Sequence, residues 1–168
     1  MTSPFVAVLM GSDSDLPVMQ STLDTLTALG VAWEAKIASA HRTPAAATAY
    51  IRDAETRGCQ VFIAAAGLAA HLAGAVSAHT VRPVIGVPMA GGPLNGFDAL
   101  LSTVQMPGGV PVATVAIGKA GANNAAYLAA QILALANPVL AQRLQDERAA
   151  NAAQIAAKDA ALQTALKR

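Results

Sequence analysis

Apolar runs and helically spaced apolar residues alternate along this chain almost from its first residue. Phe5-Val6-Ala7-Val8-Leu9-Met10 is a continuous apolar run that stops at Gly11, the pattern of a strand buried on both faces. In residues 16–29 the apolar positions fall at Leu16, Met19, Leu23, Leu26 and Leu29, a helical spacing that Gly30 ends. Residues 31–37 predict a second strand of mixed polarity, and residues 44–57 a second helix closed by Gly58. Val61-Phe62-Ile63-Ala64-Ala65-Ala66 predicts a third buried strand, broken by Gly67. An Ala-rich helix is expected over residues 69–79, a fourth strand over 83–88 and a fifth over 112–116. A long helix is expected from Gly121 through residues 122–136, where Asn137-Pro138 interrupts it, and a last helix from about Pro138 towards the C-terminus.

Strands that alternate with crossover helices imply a parallel sheet with helices on both faces. Five of them suit a flavodoxin-like α/β fold, a doubly wound three-layer sandwich with an extra C-terminal helix. No linker, repeat or low-complexity tract divides the chain. Residues 1–168 therefore read as a single domain, with an α/β core over 1–136 and a helical extension over 137–168. The tail from Gln142 onward is Ala-rich, mixed in charge and adds no strand, so it is expected to pack on its own subunit or on a neighbour. Residues 89–110 read as one long connection through Gly91-Gly92-Pro93, and loops of that length in compact domains are functional or interfacial.

Composition adds a partner. Hydrophobic residues make up 54% of the 168 positions and charged residues only 12%, too few charges to cover a small monomer, so a homo-oligomer is expected. A formal net charge of +1 leaves no basic footprint for nucleic acid and no acidic tail. The single cysteine, Cys59, cannot form an internal disulfide, which fits a reducing cytoplasm, and its place before an apolar run marks it as a small buried hydrophobe. No basic region precedes an apolar stretch at the N-terminus, so no signal peptide is expected. The longest apolar stretch, residues 61–76, is broken by His71 and is too short for a membrane span. These features predict a soluble, cytoplasmic protein that engages neither membrane nor nucleic acid.

Candidate chemistry gathers on the loops that follow the strands, the edge where open α/β sheets bind ligands. Gly11-Ser12-Asp13-Ser14-Asp15 offers a tight turn, two hydroxyls and helix-start amides suited to an anion. Ser14 or Asp15 could equally be a plain N-cap, and a Mg²⁺ site on the two aspartates is disfavoured by Pro17 and the small preceding residues. The loop is neither a P-loop nor a Gly-x-Gly-x-x-Gly turn, which argues against ATP and NAD. In Ser39-Ala40-His41-Arg42-Thr43-Pro44, Thr43 can cap the second helix, and Pro44 fits its first position because proline has no N–H to donate. His41 brings a side chain able to exchange protons near neutral pH, and Arg42 a fixed charge for phosphate or carboxylate. Gly67-Leu68-Ala69-Ala70-His71-Leu72-Ala73-Gly74 surrounds a second histidine with small side chains that leave room for a compact group, or simply pack closely around an inert imidazole. His79 reads as a surface or interface residue. Three histidines without tight spacing or companion carboxylates do not make a metal site.

Taken together, these segments resemble the class I branch of the phosphoribosylaminoimidazole carboxylase family, the N5-carboxyaminoimidazole ribonucleotide mutases of bacterial purine biosynthesis. Pro83-Val84-Ile85-Gly86-Val87-Pro88, Leu101-Ser102-Thr103-Val104-Gln105-Met106-Pro107 and Ala116-Ile117-Gly118-Lys119-Ala120-Gly121-Ala122 extend the likeness, in family order, over roughly residues 5–135. The resemblance implies a flavodoxin-like subunit in a homo-octamer, with active sites built from more than one subunit and no metal, nucleotide or redox cofactor. It implies an isomerase that moves a carboxylate from N5 of a small ribonucleotide to ring carbon C4, through decarboxylation, trapping of CO₂ and recarboxylation. By the same likeness His41 is the catalytic proton shuttle. Ser12, Asp15, Ser39, Arg42 and Gly67 would bind the ribonucleotide, and Ala69 and Ala70, with His71 and Leu72, would shape a dry pocket for CO₂. Two departures stand out: many members carry glycine where this chain has Leu68, and proline where it has Ala73. A glycine needed for positive φ or close ligand approach would make Leu68 an altered wall, tolerated if its side chain points away. Residues 89–95 share no motif with the family.

Three other readings stay on the table. A class II enzyme would carboxylate aminoimidazole ribonucleotide directly with CO₂, but its members are more polar than Ala-Ala-His-Leu in the third loop. A non-catalytic phosphate-ligand module could use the same fold, against which His41 argues. A flavodoxin-like electron carrier would want aromatic residues to stack on flavin, and aromatics are only 4% here.

Overall fold

A computed structural model of the chain describes residues 4–166. The outermost positions of the expected domain and of its extension, 1–3 and 167–168, lie outside the described residues. The elements run β1 (Phe5–Met10), α1 (Leu16–Ala28), β2 (Ala32–Ile37), α2 (Pro44–Thr56), β3 (Cys59–Ala66), α3 (Leu72–Ser77), β4 (Val84–Pro88), α4 (Phe97–Val104), β5 (Ala113–Thr114), α5 (Lys119–Ala134) and α6 (Pro138–Leu166).

The five strands pair in parallel in the order β2-β1-β3-β4-β5. This is the flavodoxin-like order, and its all-parallel pairing is what the alternation of apolar runs and helices predicts, because parallel neighbours need a crossover connection. Side chains on a strand alternate between faces, and the core divides accordingly. Val6, Val8, Val61, Ile63 and Ile85 pack under α1 and α5 on one face. Phe5, Ala7, Leu9, Phe62 and Ala64 pack under α2 and α3 on the other, where Ile51, Leu72 and Val76 close the layer. Fully burying each such Leu, Ile, Val or Phe stabilises the fold by about 1.5–3 kcal/mol. Cys59 is buried in that second layer. Burial pushes its thiol up to about 11, so it behaves as the apolar residue its position predicts.

Four expectations change in detail. The Ala-rich helix is shorter than predicted: α3 begins at Leu72, which leaves residues 69–71 as free loop. The fifth strand shrinks to two residues, Ala113 and Thr114, which pair with Ile85 and Gly86 of β4; Val115 adds one bond, its N–H donating to Gly86 O at 3.0 Å. The long connection of residues 89–110 contains a helix, α4, entered through Gly96. Thr43 stands at the N-cap of α2 but makes no capping bond there; its hydroxyl instead accepts from Ser39 N–H at 3.1 Å. Pro44 does occupy the first turn, as its missing donor predicts.

The chain leaves β1 towards β2 on one side and returns to β3 on the other. The loops after β1 and β3 therefore part at the carboxyl edge and open a crevice, the switch point at which ligands bind in such sheets.

Candidate active site

The crevice is a cleft of about 630 Å³, a volume suited to a small ligand. Its walls come from the loops after β1, β2, β3 and β4, and the predicted Ser12, Asp15, Ser39, His41, Arg42, Gly67, Ala69, His71 and Leu72 all line it; Ala70, expected in the CO₂ pocket, is buried and does not. Two roomier hollows, of about 860 and 980 Å³, lie at the amino ends of the strands and take in none of these residues. His79, exposed as expected, borders the second of them, away from the cleft.

The loop after β1 is held by a capping box. Ser12 Oγ accepts from Ser14 N–H at 3.3 Å, and Asp15 Oδ2 accepts from Ser12 N–H at 3.2 Å. Ser12, not Ser14 or Asp15, thus caps the short 3₁₀ turn over Asp13–Asp15. Asp15 is buried, and desolvation holds its carboxyl above the usual carboxylate range, with donation from the Ser12 and Gly11 backbone opposing that rise. A buried carboxylate with a spare oxygen at a cleft is a receptor for hydroxyl groups.

Arg42 ties the first two loops together. Its Nη2 donates to Gly11 O at 3.0 Å and its Nε to Ser39 Oγ at 3.4 Å, while the Arg42 backbone N–H donates to the same Ser39 Oγ at 3.1 Å. Ser39 thereby orients both the main chain and the guanidinium of its neighbour. The cation is exposed at the cleft, where it can meet an anionic group without a desolvation penalty already incurred.

His41 and His71, thirty residues apart in sequence, meet edge to face with Nε2 and Nδ1 2.8 Å apart. One proton fits between those two nitrogens, so one ring donates and the other accepts. A second proton would set two N–H groups head to head. The pair is exposed in the cleft, where an incoming ligand can replace either partner. His71 is therefore an orienting partner for His41 as well as a wall of the pocket.

Below the pair the lining is apolar or small: Ala66, Gly67, Ala69, Leu72 and Met89. The loop after β4 supplies a wall that the site residues predicted from sequence leave out, Met89, Ala90, Gly91 and Gly92. The signal for it was the paired glycine directly after an apolar run, at the same strand edge as the other three loops. Leu68 takes the left-handed conformation with φ 55°, the position where glycine had been the family expectation. Among the described residues no group of three or more His, Cys, Asp or Glu comes together as a metal cluster, and no helix is long and apolar enough to cross a membrane.

This arrangement can bind an anionic, hydroxylated small molecule and move a proton beside an apolar wall. Its fold and sequence have close counterparts. A profile of the family described as AIR carboxylase matches residues 5–154. The chain is 54% identical over 145 residues to the N5-carboxyaminoimidazole ribonucleotide mutase of Bacillus subtilis, covering 86% of this chain and 90% of that one. It is 53% identical over 160 residues to the enzyme of the same name from Mycobacterium tuberculosis, covering 95% of this chain and 91% of that one. Treponema denticola PurE superposes with a TM-score of 0.85 at 29% identity, covering 94% of this chain and 98% of that one. With the family profile, the sequence identity and the fold agreeing over most of its length, the chain belongs to the AIR carboxylase family.

Proposed function

We propose that this chain is an N5-carboxyaminoimidazole ribonucleotide mutase, an isomerase that forms 4-carboxy-5-aminoimidazole ribonucleotide in de novo purine (IMP) biosynthesis. The observation that carries the reading is the His41–His71 pair, 2.8 Å apart, above a floor of small apolar residues and beside Asp15 and Arg42. The carbamate N–C bond breaks, its electron pair stays on nitrogen, and His41 supplies the proton that nitrogen needs. Ring carbon C4 then attacks the released CO₂, and the C4 proton returns to His41. Proton given equals proton taken, so the histidine is regenerated each turnover and the balance calls for no redox partner.

Arg42 and the hydroxyls of Ser12 and Ser39 would hold the phosphate, and Asp15 the ribose hydroxyls. Ala69 and Leu72, with His71, would confine CO₂ against the ring and keep water out, so that recapture outruns escape. Supplying each substrate to purified protein tests the assignment. The carbamate should be converted to the 4-carboxy product; turnover of aminoimidazole ribonucleotide with bicarbonate, and none of the carbamate, would assign direct carboxylation instead.

Asp15 offers a second test, because binding and stability should move in opposite directions. Burial raises the folded-state pKa of Asp15 above its unfolded value, so the folded chain holds that proton more tightly than the unfolded chain does. The ionised carboxylate therefore subtracts stability progressively as pH rises from the ordinary carboxylate range through the raised folded value. Asp15→Asn removes the charge and keeps an oxygen to accept from Ser12. Its Tm should exceed that of the wild type at neutral pH, and the gap should close in acid, as thermal melts across pH would report. Ribonucleotide affinity should fall roughly 10- to 100-fold, the loss of one charge-assisted hydrogen bond, in a binding titration. A variant that melts below the wild type at neutral pH, or binds as tightly, contradicts the role.

The chain is further read as a single cytoplasmic domain, with a core over 1–136 and an extension over 137–168, that assembles as a homo-octamer. Apolar side chains left exposed support an assembly: Phe97, Leu101 and Val104 share one face of α4, and Ile155, Leu162 and Leu166 lie along α6. Within α6 only Leu140 is buried, so most of that helix has no covering in a lone subunit.

A further inference from the structure

Leu68 sits where a side chain is conformationally costly, at φ 55°, and it is 53% exposed. A left-handed leucine persists only where its surroundings hold it. Here Ala70 N–H donates to Ser102 Oγ at 3.2 Å, and that hydroxyl lies 3.3 Å from Leu68 O, which ties the loop to α4 at Leu68 and just after it. Although half-exposed, the leucine side chain keeps its Cδ2 end against a neighbouring loop. It leans across to the loop after β4, where a methyl group added at Gly92, itself at φ 64°, would overlap Leu68 Cδ2. Both residues line the cleft, so this contact bridges the two loops that form one side of its mouth. The same cleft is lined by the apolar or small residues Ala66, Gly67, Ala69 and Met89.

We propose that Leu68 is a positioning residue that seals the mouth of the cleft against the Gly91-Gly92 loop and so retains CO₂ between its release from nitrogen and its capture by C4. The proposal rests on the mutase reading. An apolar cap suits it chemically: CO₂ is neutral and poorly hydrated, so a hydrocarbon side chain blocks its exit and the entry of water without competing for the anionic substrate. A glycine at this position would leave the same backbone unstrained and the gap open. The leucine accordingly spends backbone strain on closure.

Isotope retention measures the seal. Carbamate substrate carrying ¹³C in its carboxylate is turned over in unlabelled bicarbonate buffer with added carbonic anhydrase, so that escaped CO₂ is diluted at once. The label in the 4-carboxy product is then read by mass spectrometry against an enzyme-free blank. Wild type should keep most of the label. Leu68→Ala, which keeps the strained backbone but removes the reach to Gly92, and Leu68→Gly, which removes both, should each lose label several-fold more, with aminoimidazole ribonucleotide accumulating. Leu68→Met should restore retention, since its thioether spans the same gap. A purely structural leucine would move Tm and leave label retention alone. Retention at the wild-type level in Leu68→Ala overturns the seal, and so does leakage in Leu68→Gly alone, which would assign the effect to the backbone. A wild type that makes no product from the carbamate fails one stage earlier, and takes the mutase reading down together with the seal.

Discussion

His41→Asn should abolish most turnover while ribonucleotide binding and folding stay close to wild type. Asparagine fills much of the same volume and its amide can still donate to His71 Nδ1, so the 2.8 Å contact has a substitute. What disappears is the ability to gain and lose a proton within each cycle. Removing a positioned general acid–base group costs about 10²–10⁴ in rate. Here one group serves both proton transfers, so kcat should fall towards the upper part of that range. His41 is exposed and lies outside both core layers, which predicts a stability change within about 0.5 kcal/mol. Steady-state rates on the carbamate, a direct binding titration and a thermal melt separate the three effects. Wild-type turnover in the variant would remove His41 from the proton path.

The proton path is also where sequence and structure divide most sharply. His41 and Arg42 can be placed from sequence because they follow an apolar run and precede a proline that starts a helix, both local signals. Their partnership with His71 is not local. It depends on β1 pairing with β2 on one side and β3 on the other, and on α3 starting late enough to leave His71 on a loop. Periodicity alone carries the Ala-rich helix back to residue 69, because alanine fits a helix equally well on every side and marks no boundary. The strands β1, β3 and β4 are legible because burial on both faces demands unbroken apolar runs. For β5 the same run of apolar residues overstates the strand, since regular pairing with β4 covers only Ala113 and Thr114 although β4 itself runs on to Pro88. α4 is lost between two Gly- and Pro-rich stretches, although Phe97, Leu100, Leu101 and Val104 have helical spacing. Phe97, Leu101 and Val104 of that set are exposed in the subunit, and apolar positions without a core to join give a weak helix signal.

The resemblance to a known family supplied roles for residues whose contacts it could not supply. The bonds from Arg42 to Gly11 O and Ser39 Oγ show why a cation and a serine three residues earlier occur together: the serine holds the guanidinium in register with the first loop. Leu68 is the converse case. Its departure from glycine was visible in the sequence, but only the fold shows that the position is left-handed and that the side chain reaches Gly92.

Arg42→Ala should be the most damaging change to substrate binding, because it removes a charge and a tether together. An ionic hydrogen bond to phosphate contributes about 1.5–3 kcal/mol, so two lost contacts predict a rise in KM of roughly two orders of magnitude or more. Loss of the bonds to Gly11 and Ser39 frees the first two loops from each other, and catalysis depends on their spacing. kcat should therefore fall as well, though less than KM rises. Arg42→Lys separates the two contributions. It keeps a cation but offers a point charge in place of a planar fork, and cannot serve Gly11 O, Ser39 Oγ and a phosphate in one plane. Lysine should recover part of the affinity lost in the alanine variant and little of the lost kcat. Full recovery of both would mean that charge alone matters and that the tether is incidental. An alanine variant with wild-type KM and wild-type ribonucleotide affinity would place the phosphate elsewhere in the cleft, leaving Arg42 as a loop brace and Ser12 with the neighbouring helix-start amides as the anion site.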